Sequence, residues 1–274
     1  MLQARAWLPR TEGAVRLGFA RADGATRLSV LRQQGAARVR FPRPPTAESV
    51  PEAVLLNTAG GLTGGDHMAI AVELDADAAA TVTSAAAEKV YRSLGDAAHV
   101  AVDLQLARAA ACSWLPQPTI LFNGSSLERR THVDMADSAR LLAVETVIFG
   151  RAAMGEEVRR GTLHDAWRVR RGGRLVFADT VRVGGAVSEA LDRRAVLDGM
   201  RATAMLIYVA ADAEARLAAV RALFGDVAST MGASSWNGML LVRAAARDSR
   251  ALQRDLQPVL EHLHNGPLPR VWQC

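Results

Sequence analysis

A chain of 274 residues, half of them hydrophobic and 22% charged, is long enough for one large or two modest domains built around a real core. Its formal charge of +5 and pI near 10.1 come from arginine, with Lys89 the only lysine among 33 basic residues. The arginines are scattered and aromatic residues make up only 5%, so the basic balance reads as a solvated surface and argues against a nucleic-acid-binding stripe. The two cysteines, Cys112 and Cys274, form no C-x-x-C pair and no disulfide framework, which predicts a reducing, cytoplasmic setting. Met1–Pro9 lacks the apolar centre of a signal peptide, and no apolar run is long enough to span a bilayer.

Alternating apolar and polar residues predict strands at Val15–Phe19, Arg27–Leu31 and Ala37–Phe41, followed by a connection marked by Pro42, Pro44, Pro45 and Pro51. Val54–Asn57 is a brief strand entering a glycine-rich stretch. Met68, Ile70, Val72 and Leu74 then share one face of the next strand, and Ala80–Ala85 follows. Glu88-Lys89-Val90-Tyr91-Arg92 is dense in ionisable groups and reads as a salt-bridged structural cluster or a partner contact. It has no dinucleotide fingerprint to support an oxidoreductase. His99–Leu106 alternates, Trp114–Pro118 interrupts, and Ile120–Phe122 resumes; Glu128–Met135 and Arg140–Phe149 look like paired strands. Trp167–Phe177 is the clearest hairpin, with Gly172-Gly173 at its turn. Toward the C-terminus, helical spacing appears at Ala213–Phe224 and Ser249–His264, flanking or following strands at Ala204–Ala210 and Met239–Ala244. The expected fold is mainly β: many short strands in layered or helically stacked sheets, with a small α/β part and about two helices near the C-terminus. One domain is expected over 1–274, with a β-rich body over 1–200 and an α/β part over 201–274.

The stretch Asn57-Thr58-Ala59-Gly60-Gly61-Leu62-Thr63-Gly64-Gly65-Asp66-His67 concentrates four glycines in six positions, the mark of a loop with a shape to hold. Gly60 and Gly65 have P-loop spacing. Asp66-His67 stands where Lys-Ser/Thr is required, however, and a strand follows in place of a helix, so a phosphate cradle is rejected. Asp66 suits capping of free backbone N–H groups, and the Asp66-His67 pair leaves open a metal-dependent hydrolase as a rival reading. His262 and His264 diverge on a helix, Asn123-Gly-Ser-Ser-Leu does not match G-x-S-x-G, and Cys112 lies in an apolar setting. From the residues alone no enzyme class emerges, and a basic β-rich nucleic-acid binder remains the other rival.

Six stretches in order over nearly the full length resemble the urease accessory protein D family (UreD, called UreH in some organisms). They are Asn57–Asp66, Thr83–Arg92, Trp114–Asn123, Phe149–Glu156, Ser235–Arg243 and Pro269–Trp272. The resemblance implies a non-enzymatic chaperone for urease maturation with a mostly β fold. Its implied partners are the urease apoprotein, the accessory protein F and, through F, the GTPase accessory protein G, with no nucleic acid and no membrane. It further implies no tightly bound cofactor but Ni²⁺ in transit through an internal tunnel. Weak oxygen ligands suit such transit, and Asp66, Glu88, Glu145 and Glu156 are the expected path. Gly60, Gly61, Gly64, Gly65, Lys89, Tyr91, Arg92, Trp236, Arg270 and Trp272 are the expected structural or partner-contact positions of the shared stretches. Where the family often carries Pro after Asn57, Glu at 118 and Asp at 123, this chain has Thr58, Pro118 and Asn123, so two acidic positions are missing.

Overall fold

The alternation that marks the strands also dictates layering, because each strand has one apolar face to bury. The computed structural model describes residues 10–43, 49–151 and 154–273. The expectations that fall on Met1–Pro9, Pro44, Pro45, Ala152, Ala153 and Cys274 lie outside the described residues. The chain begins with β1 (Glu12–Ala22), β2 (Ala25–Gly35), β3 (Ala37–Arg40), β4 (Glu52–Asn57), β5 (His67–Leu74), β6 (Ala79–Ser84) and β7 (Glu88–Val90). It continues with β8 (Ala98–Leu106), β9 (Ala111–Leu115), β10 (Thr119–Leu121), β11 (Ser126–Met135) and β12 (Arg140–Phe149). The hairpin of β13 (Arg160–Arg171) and β14 (Arg174–Ala186) turns at Gly172-Gly173 as expected. After α1 (Val187–Asp192) come β15 (Ala202–Val209), α2 (Leu217–Ala222), β16 (Thr230–Trp236), β17 (Met239–Ala246), α3 (Ser249–His264) and a 3₁₀ turn over Arg270–Trp272.

Two sheets result. In the first, β1, β5, β8, β11 and β13 run parallel, and β2 and β14 close the two edges antiparallel. In the second, β4, β6, β9 and β12 run parallel, with β3 on one side and β15, β17 and β16 on the other. Successive long strands alternate between sheets, so the main chain winds as a two-layer solenoid. The fold is mainly β and helically stacked, as expected.

The inner face of the seven-stranded sheet shows why the coils stay in register. Leu17, Val72, Leu104, Val133, Val169 and Phe177 form one cross-strand row, and all six are buried. Each such side chain contributes about 1.5–3 kcal/mol relative to exposure, and a one-residue slip of any strand would turn its set outward. Strand β12 is apolar nearly throughout because both of its faces are covered. Leu141, Ala143 and Phe149 pack between the sheets, while Leu142 and Val144 join the second core beneath α3. That helix matches its expected span. Leu252, Leu256, Val259, Leu260 and Leu263 make its buried stripe, Asp248 Oδ1 accepts the Ala251 N–H at 2.9 Å, and Asn265 ends it in the left-handed region.

Four expectations need correction. Glu128–Met135 and Arg140–Phe149 are strands but do not pair; Ala136–Ala139 carries the chain from one sheet to the other, so they face each other across the core. Trp114 does not interrupt, because it lies inside β9 with its side chain buried and the break starts only at Pro116. The Glu88–Arg92 cluster starts as the short strand β7. The 213–224 helix contracts to Leu217–Ala222, while α1 and β16 had no clear periodic signature. Among the described residues no helix is long and apolar enough to cross a membrane.

Candidate functional site

Strand β12 is continuous, but its neighbours on one side are not. Arg140–Ala143 pairs with β9 and Val147–Phe149 pairs with β10, leaving Val144–Thr146 without a strand beside it. The same break repeats in the adjoining coils. Residues 85–87 separate β6 from β7, residues 116–118 separate β9 from β10, and the glycine loop separates β4 from Leu62, which bridges to Val90. The composition of these connectors explains the break. Pro116 and Pro118 carry no N–H for a ladder, and Ala85, Ala86 and Ala87 have little side chain to fill the space. The outcome is a slit of about 310 Å³ that passes through the ten-stranded sheet into the interior between the layers.

The glycine loop frames the mouth. Gly61 has φ +152°, and a Cβ there would stand 2.7 Å from the Lys89 carbonyl and overlap the Tyr91 ring. At Gly64 a Cβ would overlap the Asp96 carbonyl. Gly60 carbonyl accepts the Tyr91 hydroxyl at 3.1 Å, and the Lys89 carbonyl accepts the Leu62 N–H at 2.7 Å. Gly65 N–H donates to the Ala97 carbonyl at 2.8 Å, and the Arg92 carbonyl accepts the Thr63 hydroxyl at 3.0 Å. These shared-motif positions therefore knit the loop to β7. Trp272 fastens the 3₁₀ turn that Arg270 opens to β9: its indole N–H donates to the Leu115 carbonyl at 3.0 Å. Trp236 stands apart, half exposed at the tip of the β16–β17 hairpin.

The four expected carboxylates divide. Glu88 and Glu145 both line the slit. Glu88 lies at the rim, where Asn57 Nδ2 donates to its oxygens at 3.1 and 3.2 Å. Desolvation pushes its carboxyl up to about 7, against the opposing Asn57 and Lys89 contacts. Glu145 lies at the inner end, 7% exposed, with Oε1 2.6 Å from Arg129 Nη1. Arg129 also donates from Nε to Asp165 Oδ1 at 3.0 Å and from Nη1 to Thr119 Oγ1 at 2.9 Å. One buried guanidinium thus serves two buried carboxylates. Burial lifts the Glu145 carboxyl above the ordinary range, the pull of Arg129 opposes this, and the Asp165 charge adds to it.

Asp66 is elsewhere. Its Oδ1 accepts the Thr11 N–H at 2.7 Å and its Oδ2 the Thr63 N–H at 2.8 Å, so it caps the loop and is buried with both oxygens occupied. His67 points from the outer face of the other sheet, and the two cannot work as a pair; the hydrolase reading loses its only motif. Glu156 binds Arg151 Nε at 2.6 Å and the Asn123 N–H at 3.2 Å, outside the slit. Arg129, Asp165, Asn57, Trp114 and Gln117 were not among the expected site residues. The last two line the slit with side-chain N–H groups that find no acceptor among the described residues, which suits a hydrated interior. The arrangement offers two proton-holding carboxylates, at the rim and in depth, joined by apolar walls.

The model of the UreD urease accessory protein family matches residues 11–273. Urease accessory protein UreD of Azorhizobium caulinodans is 47% identical over 263 residues, covering 96% of each chain. The UreD of a Methylobacterium species is 46% identical over 269 residues, covering 96% of this chain and 95% of the relative. That of Xanthobacter autotrophicus is 45% identical over 268 residues, covering 98% and 92%.

Proposed function

Because the chain belongs to the UreD urease accessory protein family, we propose that it is a urease-maturation chaperone that passes Ni²⁺ along the slit. In this reading it acts as a non-catalytic scaffold between urease apoprotein and the accessory protein F, with the GTPase G joined through F, in the cytoplasm. The observation that carries the reading is the pair Glu88 and Glu145 on the wall of one slit. A conduit must bind a cation well enough to admit it and weakly enough to release it. Two separated carboxylates with apolar residues between them do this, whereas a cage of thiolates would retain the ion. Both carboxyls hold protons more strongly than usual, so a divalent cation arriving at either one displaces its proton, and the carboxylate left behind offsets half of the ion's charge. Arg129 keeps Asp165 neutralised and prevents three uncompensated charges from accumulating.

The test is co-expression of urease subunits and the other accessory proteins with wild-type chain, Glu88→Gln or Glu145→Gln. Reduced nickel content and activity of the purified urease are expected with both variants. Full nickel loading with both would reject the path.

A further inference from the structure

The outer face of the seven-stranded sheet carries a row of ionisable side chains that the slit does not use. Glu12 of β1 stands opposite His67 of β5, which stands opposite His99 of β8. Glu128 of β11, His164 of β13 and Arg182 of β14 continue the row. Neighbouring strands are about 4.8 Å apart, so consecutive members can touch. The His67 and His99 rings are stacked with centroids 4.9 Å apart, and His99 Nδ1 is 3.5 Å from Glu128 Oε2. The side chains of His99 and Glu128 are about half exposed. The next row along the strands contains Ala14, Ala69, Ala101, Arg130 and Ala166; the Arg130 guanidinium lies 3.6 Å from Asp103, and an open groove of about 470 Å³ lies beside the histidines.

We propose that His67, His99 and Glu128 form a surface binding site for a borderline divalent cation of the Ni²⁺, Zn²⁺ or Cu²⁺ class. Two imidazole nitrogens and a carboxylate are the donor set such ions favour over calcium or magnesium. The second carboxylate, Glu12, lies beyond His67 and adds negative charge without crowding. Among the described residues no three such groups already converge on one point. Convergence needs only rotation of exposed side chains, a picosecond-to-nanosecond motion, and the alanine groove leaves room for the ion's remaining waters. A stacked imidazole pair that is merely solvated explains the ring contact. It does not explain a carboxylate at each end of the pair. The site lies on the opposite layer from the slit, and the proposal does not depend on nickel passing through the interior.

The experiment titrates the full-length chain with NiCl₂ and with ZnCl₂ by calorimetry, with imidazole ¹⁵N NMR to identify the ligands. One equivalent is expected to bind, shifting the His67 and His99 resonances. The double variant His67→Ala/His99→Ala should weaken binding roughly tenfold or more, and Glu128→Gln should weaken it less. His132→Ala, on the same face but in another row, should leave it unchanged. Undiminished binding by a folded double variant, an equal loss in His132→Ala, or no binding by the wild-type chain would each overturn the proposal.

Discussion

Replacing Glu88 by Gln should change the pH dependence of stability in a direction the slit dictates. A carboxyl raised from 4.5 to about 7 is held more readily as the neutral acid in the fold than in the unfolded chain. Its contribution is therefore fully present below about pH 4.5 and is lost as pH rises through about 7. At about 1.4 kcal/mol per pKa unit the loss has a ceiling near 3 kcal/mol, and partial solvent access to the rim reduces this to about 1–2 kcal/mol. Glutamine keeps an acceptor for Asn57 Nδ2 and cannot ionise. Urea denaturation from pH 5 to 8.5 should thus show the variant gaining on the wild type as pH rises, by about 1–2 kcal/mol above pH 7.5. Parallel profiles, with a constant difference across that range, would show that Glu88 is not desolvated and would refute the reasoning.

Arg129→Met leaves Glu145 and Asp165 buried without their cation and should cost about 3–5 kcal/mol at pH 8. Without the guanidinium that opposes it, desolvation lifts the folded-state Glu145 carboxyl further, so stability is lost as pH climbs out of the carboxylate range. The deficit should be smaller at pH 5 in the same denaturation assay. Asp66→Ala strands the Thr11 and Thr63 amides and should destabilise by about 2 kcal/mol, with faster hydrogen exchange in the 60–66 loop. Trp272→Ala removes a buried indole and its bond to the Leu115 carbonyl, and should lower stability by about 3–5 kcal/mol in thermal or urea melts.

Most of the long strands were legible because they show two-residue alternation, and α3 because its leucines recur at helical spacing. Alternation reports which side chains share a face but not which sheet receives the strand. That is why β11 and β12 read as partners when they lie in opposite layers. The slit was legible only in part. Glu88 and Glu145 were among the four expected carboxylates, and Glu145 is the lone carboxylate in the apolar run Leu141–Phe149. Asp66 was read both as a cap for backbone amides and as part of the path, and the Thr11 and Thr63 amides occupy it as a cap; Glu156 is held by Arg151, a partner that leaves no periodic trace. Arg129 and Asp165 did leave one. Each occupies an inward phase of its strand, in Leu127-x-Arg129-x-Thr131-x-Val133 and Leu163-x-Asp165-x-Trp167, where an apolar residue is expected. A charge in the buried phase of an alternating strand was the signal for the interior cluster. The gap in the ten-stranded sheet could not be read the same way, because it arises from three short connectors stacking in space.

Passage through the slit is tested most directly by obstruction that leaves every charge in place. Ala87 lines the opening beside Glu88 and has only a methyl group to contribute. Urease matured with Ala87→Phe chain should purify with its accessory partners bound as usual yet hold little nickel. Urease that emerges fully nickel-loaded with the opening filled would contradict the conduit.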